Sequence, residues 1–138
     1  EISYATTILG WKLFYTDKLK LQHHLSSARF TLEYIEELYA AFGKASVYLV
    51  PYVKFTKSKL LCIDKVRYSS SWKVKYFHNI MKLYFYYFLY ILFFFTKKSK
   101  KYKLMIIFVS ASNKELKKLN NNYKDIFSYI YILKKYRR

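Results

Sequence analysis

The sequence predicts an α+β fold, in which an antiparallel sheet is backed by one or two helices and carries a long basic hairpin arm and a basic C-terminal helical tail. Three observations lead to this prediction. Hydrophobic residues make up 54% of the chain, which is too many for a disordered basic tail. Some segments have the apolar spacing of helices, whereas others alternate or are continuously apolar, as strands are. The length of 138 residues suffices for a single core.

The chain divides into three parts by pattern. Residues 1–17 show no clean period and are interpreted as an N-terminal extension. Residues 18–109 are predicted to form the α+β domain, and residues 54–75 within it the arm. Residues 110–138 are predicted to form a basic C-terminal helical extension.

The first half of the domain is predicted to contain a strand, a helix and a second strand. Polar and apolar residues alternate over Lys18–Gln22, as in a half-buried strand. From Ser27 to Phe42 the apolar residues recur at steps of three and four, and Gly43 follows at the position of a helix cap. Valine and tyrosine residues around Pro51 predict a strand over 46–55, at an edge or interrupted at the proline.

The second half is predicted to return to the sheet and then to end in a helix. The arm leads into a returning strand that begins near Val74 and Tyr76. Tyr102–Val109 is apolar except at Lys103, and it is predicted to be a strand that is buried on both faces or central in the sheet. Residues 112–138 resume helical spacing, with an interruption proposed at Asn120–Asn122.

The charge balance predicts a polyanionic partner. The chain has 26 Lys and Arg residues against 8 Asp and Glu, for a formal net charge of +18. No acidic residue occurs between Asp64 and Glu115, so this segment cannot neutralise its own lysines. Self-repulsion of this size opposes a compact state unless a partner supplies counter-charges, as a phosphate backbone does.

The arm combines cations with aromatic rings. In RNA-binding proteins, such cations neutralise phosphates and such rings stack on unpaired bases. The alternative is a solvated basic loop whose aromatics anchor the core. Charge spread over the arm, the 97–103 connection and the tail favours RNA over a membrane surface. The predicted RNA-binding residues are Lys54, Thr56, Lys57, Lys59, Lys65, Arg67, Tyr68, Trp72, Lys73, Lys75, Lys97, Lys98, Lys100 and Lys101.

Catalytic and metal-binding patterns are not found in the sequence. Carboxylates cluster at Glu33, Glu36 and Glu37. They lie off the apolar stripe of their helix, which indicates a solvated polar face. Four residues of metal-ligating type are present, namely His23, His24, Cys62 and His78, but their spacings fit no zinc site. We therefore expect no catalytic residue, metal, cofactor or small-molecule substrate.

The uncharged run Leu83–Phe95 raises the question of a membrane. As a helix it would reach about 20 Å, against roughly 30 Å of hydrocarbon. We therefore expect it to pack within the protein or against a neighbour, and a membrane partner is not expected. The alternative is a small hydrophobic accessory subunit of an organellar inner-membrane complex, anchored by 83–95 with flanking lysines that reach the headgroups.

The order of the predicted elements resembles the ribosomal protein ten family of the small ribosomal subunit. Lys18–Gln22 is similar to the first strand of the family, and Ser27–Phe42 with Gly43 is similar to its helix. Phe77 falls on the phenylalanine of the family's returning strand. The resemblance covers residues 18–109.

The stretch Val50–Lys57 lies over the proline-rich segment of the same family and retains Pro51, Thr56 and Lys57. Valine and phenylalanine replace the family's glycine and two of its prolines, so only Thr56 and Lys57 carry over as RNA contacts. The resemblance implies an rRNA-binding protein without an activity of its own.

Composition adds an indication of origin. Tyr and Phe number 17 and 12, and they accompany abundant Lys, Ile and Asn, the amino acids with A/T-rich codons, as in an organelle genome. We therefore expect a structural constituent of the small subunit of a mitochondrial ribosome, located in the matrix. Its expected partners are ribosomal RNA and neighbouring ribosomal proteins.

Overall fold

A computed structural model describes residues 2–12, 16, 18, 29, 31–60 and 71–136. In these residues the chain is helical and contains no strand. The helices are α1 (Ile2–Leu9), α2 (Leu32–Leu60), α3 (Trp72–Leu92), α4 (Lys98–Leu119) and α5 (Tyr123–Lys135). Among them there is no helix with both the length and the apolar character that crossing a bilayer requires.

The predicted α+β fold is wrong for the described residues. The segments predicted as strands at 46–55, at Val74 and Tyr76, and at Tyr102–Val109 lie inside α2, α3 and α4. The β preference of valine and aromatic residues reflects packing on a half-buried surface, and the packing of a helical bundle overrides it. The predicted strand Lys18–Gln22 lies outside the described residues, apart from Lys18.

The helical fold also removes the support for the family resemblance within the described residues. The stretch over 50–57, compared above with a proline-rich strand, belongs to α2. Phe77, compared with a strand residue, is an exposed residue of α3. The strand order that carried the resemblance is not observed in the described residues.

α2 is longer than the sequence predicts, because Gly43 does not end it. A Cβ atom on Gly43 would lie 2.2 Å from the carbonyl oxygen of Phe108 and 3.1 Å from the Cβ atom of Ala111. The glycine therefore permits a close approach of α2 to the middle of α4 rather than capping a helix. α2 continues through Pro51, which lies in the helix interior.

α4 packs between α2 and α3. Lys103 forms an ion pair with Glu36, and Tyr48 donates a hydrogen bond of 2.7 Å to Glu115. From the first contact to the second, the residue numbers rise in both helices, so α2 and α4 run parallel.

α3 runs antiparallel to α4. The Asn79 side chain donates a hydrogen bond of 3.2 Å to the Ser112 hydroxyl near one end of the pair. At the other end, the Phe93 and Tyr102 ring centroids are 5.7 Å apart. α1 packs against both α2 and α5.

The core joins α2, α4 and α5. Val47, Leu116, Tyr123 and Ile126 form a buried cluster against which Trp72 packs. Burial raises the pKa of the Tyr123 hydroxyl above its usual range. The helical spacing predicted for the C-terminal segment is confirmed by this cluster.

The predicted interruption at Asn120–Asn122 is also confirmed, because a 3₁₀ turn separates α4 from α5 there. Asn120 has a φ of 47° and a ψ of −124°, a positive-φ conformation outside the left-handed helical region that residues with a side chain rarely adopt. The break lets α5 turn its apolar residues towards α1 and α2.

The core contains one unpaired polar side chain among the described residues. Asn113 is 6% exposed, and neither its amide nitrogen nor its oxygen has a hydrogen-bond partner there. Burial of an unpaired amide opposes folding.

We expect Asn113→Leu to raise the free energy of unfolding by about 1–2 kcal/mol, because an apolar group of similar size replaces an unpaired amide. Urea unfolding followed by circular dichroism measures the change. Asn79→Leu is the matched control and should lower stability by about 1 kcal/mol, since it removes the partner of Ser112. An Asn113 variant of lower stability would show that this amide is paired in solution.

Candidate nucleic-acid interface

The structure distributes the predicted RNA-binding residues over two ends of the bundle. Lys54, Thr56, Lys57 and Lys59 belong to the last turns of α2, and Trp72, Lys73 and Lys75 to the start of α3. Lys97 lies in the turn after α3, and Lys98, Lys100 and Lys101 begin α4. Lys65, Arg67 and Tyr68 lie outside the described residues. The length of α3, about 30 Å, separates the two ends.

The extended arm predicted over 54–75 is wrong where the structure describes it, since residues 54–60 and 72–75 are helical. Trp72 is half-buried, packs on the core and meets Tyr76 edge to face at 6.1 Å between ring centroids. The Thr56 hydroxyl donates to the Tyr52 carbonyl at 2.9 Å. Trp72 thus matches the alternative of a core-anchoring aromatic.

The well-exposed residues of α4 are all lysines. They are Lys98, Lys100, Lys101, Lys103, Lys114, Lys117 and Lys118. The residues between Lys103 and Lys114 are all buried or half-buried. The cations therefore form two groups, one near each end of a rigid helix.

Four of these lysines, Lys100, Lys114, Lys117 and Lys118, form what we call the lysine face. At about 100° per residue they lie within an arc of roughly 100° around α4. Ser112, which is hydrogen-bonded to Asn79 of α3, lies roughly 170° from the centre of that arc, and Tyr102, which contacts Phe93 just after α3, lies roughly 110° from it. The lysine face therefore points away from α3.

The charges of the lysine face are not neutralised by the described part of the chain. The single ion pair found there joins Lys103 to Glu36, and the hydrogen bond that Lys103 donates to the Glu36 carboxylate raises the pKa of Lys103. The first turn of α4 contains no acidic residue, whereas Lys117 and Lys118 lie in its last turn, where the helix dipole favours cations. A multivalent anion would complete this surface.

Sequence reasoning found the lysines at 97–101 but not the lysine face as a unit. The available signal was helical spacing, because Lys100, Lys114 and Lys118 are separated by multiples of about 3.6 residues. The interpretation of 102–109 as a strand concealed that spacing.

α3 carries a second surface, the apolar stripe, which we define as Phe77, Met81, Phe85, Phe88, Ile91 and Leu92. Each of these residues is between 55% and 72% exposed. They lie within about 120° of one another around the helix, opposite the side that packs on α4. The expectation that 83–95 packs within the protein is thus wrong for most of its rings in this single chain, and packing against a neighbour remains a prediction.

The described residues contain a groove between α2 and α5 but no cluster of metal-ligating side chains. This groove of about 320 Å³ is lined by residues that include Tyr48, Asn122 and Asp125, but the Tyr48 hydroxyl donates to Glu115, and Asn122 and Asp125 lie exposed. Within the described ranges, no group of three or more His, Cys, Asp or Glu side chains is placed to hold a metal ion.

Comparison of this chain with family models, curated proteins and solved structures found no match. Function is therefore inferred from the two surfaces of the chain itself.

Proposed function

We propose that this chain is an architectural RNA-binding protein, without chemistry of its own, that neutralises phosphates through the lysines of α4. The observation that carries the proposal is that every well-exposed residue of α4 is a lysine. A surface of one charge sign on a protein of net charge +18 should bind most tightly to a partner with closely spaced anions, since each phosphate contact releases a condensed counterion.

The rigidity of the surface favours a folded RNA. Lys100 lies roughly 20–27 Å from Lys114 and Lys118 along α4, so both groups bind at once only where phosphates are held at a matching separation. Lysine contacts phosphate as a point charge and does not read base edges in the bidentate manner of arginine. Binding is therefore expected to depend on RNA shape and little on its sequence.

The particle that we propose is the small subunit of an organellar ribosome, with rRNA and neighbouring ribosomal proteins as partners in the mitochondrial matrix. The basic charge and the A/T-type amino-acid composition support an organellar ribosome, and the choice of the small subunit comes from the family resemblance alone. The protein should sediment with the small subunit and be released by ribonuclease or high salt. Sedimentation that ribonuclease leaves unchanged would contradict the proposal.

A second candidate is an accessory subunit of an organellar inner-membrane complex that binds through the 83–95 segment. The exposed apolar stripe of α3 favours it. A carbonate wash of the organelle distinguishes the two, because an anchored subunit stays with the membrane, whereas an RNA-held protein is released.

We expect the affinity for a folded RNA to fall by roughly a thousandfold or more between 50 and 200 mM salt, if six or more phosphates are contacted. Fluorescence anisotropy of a labelled RNA hairpin measures it. The same hairpin with its base pairs exchanged should bind with nearly equal affinity. An affinity that does not change with salt would show that phosphate contacts do not hold the complex.

A further inference from the structure

We propose that the apolar stripe of α3 binds the surface of an anionic lipid bilayer, on the side of the protein opposite the lysine face. The stripe follows the whole length of α3, and its six side chains are each more than half exposed. Soluble monomers rarely leave a continuous apolar surface of this kind uncovered. The sequence-based expectation that a membrane is not a partner had two grounds, the short length of 83–95 and a charge that is not gathered on one amphipathic face. The structure adds an exposed apolar face on α3, which is what binding to a bilayer surface requires.

The charges around the stripe identify the occupant. Exposed Lys73 and Lys82 flank it on opposite sides of α3, and the cluster at 97–101 follows its C-terminal end. Lys98 already lies with its amino group 5.4 Å from the centroid of the Phe93 ring. Cations at the edges of an apolar helix face reach lipid phosphates while the apolar side chains enter the acyl region.

A second copy of this chain fits the same surface poorly. Asp64 and Glu115 enclose a segment without acidic residues that contains all of α3. Two stripes packed together would bring Lys73 and Lys82 near the lysines of another molecule of charge +18, with no acidic residue of α3 to pair with them. An anionic lipid surface supplies the missing counter-charge.

RNA also fits the stripe poorly. Bases stack on aromatic rings, but Met81, Ile91 and Leu92 interrupt the rings along the helix. Beside the stripe, Ile80, Leu83, Tyr84 and Tyr87 line an open groove of about 230 Å³. Aliphatic and aromatic side chains that surround an open groove suit acyl chains better than bases.

The test is co-sedimentation of the full chain with vesicles that contain either equal parts of phosphatidylglycerol and phosphatidylcholine or phosphatidylcholine alone. The wild-type protein should bind the anionic vesicles and bind the neutral ones much more weakly. The triple variant Phe77→Gln, Phe85→Gln, Phe88→Gln should bind the anionic vesicles at least about a hundredfold more weakly, since each ring buried in lipid is worth roughly tenfold in affinity.

The matched control is Tyr129→Gln, Tyr131→Gln, Ile132→Gln, which removes three exposed apolar side chains from α5. Its vesicle binding should equal that of the wild type, and circular dichroism should show unchanged helicity in both triple variants. Phe88→Trp offers an independent readout that does not depend on a triple variant. Vesicles with brominated acyl chains should quench the fluorescence that Phe88→Trp adds, whereas the fluorescence that Tyr131→Trp adds should not be quenched.

Four outcomes would overturn the lipid assignment. The wild type could fail to bind anionic vesicles, or the stripe variant could bind them as well as the wild type. A wild-type dimer that the stripe variant abolishes would assign the surface to a second copy. An equal loss of RNA affinity in the stripe variant would assign it to RNA. Retention of vesicle binding without any RNA affinity would instead contradict the proposed function alone.

Discussion

Gly43→Ala is expected to lower the free energy of unfolding by about 3 kcal/mol, because the added methyl group would overpack the contact between α2 and α4. The ideal Cβ position lies 2.2 Å from the carbonyl oxygen of Phe108. Backbone atoms cannot move aside as a flexible side chain can, so the helices must separate. Urea unfolding followed by circular dichroism at 222 nm, roughly the wavelength of the helical minimum, measures the loss.

The direction of this change distinguishes packing from helix propensity. In a helix without a close neighbour, alanine in place of glycine raises stability by about 1 kcal/mol. Lys44→Ala changes the adjacent exposed residue and should alter stability by less than about 0.5 kcal/mol. A Gly43→Ala variant that is more stable than the wild type would show that α2 does not approach α4 at this position.

The quadruple variant Lys100→Gln, Lys114→Gln, Lys117→Gln, Lys118→Gln is expected to lose roughly a thousandfold in RNA affinity at 0.1 M salt. The slope of log affinity against log salt should become shallower by up to about 3.6, since each lost phosphate contact removes about 0.9. Helicity should be unchanged, because all four side chains are exposed. Anisotropy titrations over a range of salt concentrations measure both quantities.

A second quadruple variant controls for net charge. Lys12, Lys18, Lys44 and Lys135 are also exposed, and their replacement by Gln lowers the charge by the same amount. Because they lie off the lysine face, this variant should lose less than about tenfold in affinity and keep most of the salt slope. Equal losses in the two variants would show that RNA responds to overall charge and not to the lysine face.

The sequence predicts the C-terminal region well, because one apolar face is sustained from Leu116 to Leu133 and its members are buried or half-buried in the structure. A run of three asparagines marks the break correctly. The helical spacing of the apolar residues is clear in α5 because one side of the helix packs on neighbours and the other side faces solvent.

The central helix is mispredicted for a physical reason. α4 is covered by neighbours over its middle turns, so Leu104–Val109 is apolar all round and shows no helical period. A continuously apolar run of this length is compatible with either a buried strand or a buried helix. α3 was mispredicted for a similar reason. The side that packs on α4 and the exposed apolar stripe are both apolar, so no polar face reveals the helical period of its residues.

The candidate site, like the fold, could be predicted from the sequence only in part. The exposure of the lysines at 97–101 was implicit in their charge, and the structure places them on the surface. The lysine face and the apolar stripe could not be predicted, because each needs the correct helical period and knowledge of which side α4 turns towards α3. Trp72 shows the reverse case, in which a residue predicted to stack on a base packs on the core.

Chemical labelling of lysines in the presence and absence of a folded RNA shows whether the lysine face is the RNA contact. A water-soluble acylating reagent, followed by mass spectrometry, reports the accessibility of each lysine separately. We expect RNA to protect Lys100, Lys114, Lys117 and Lys118, while Lys44 on α2 and Lys82 at the edge of the apolar stripe react as in the free protein. Uniform protection of all exposed lysines, or protection that leaves the lysine face reactive, would contradict this expectation.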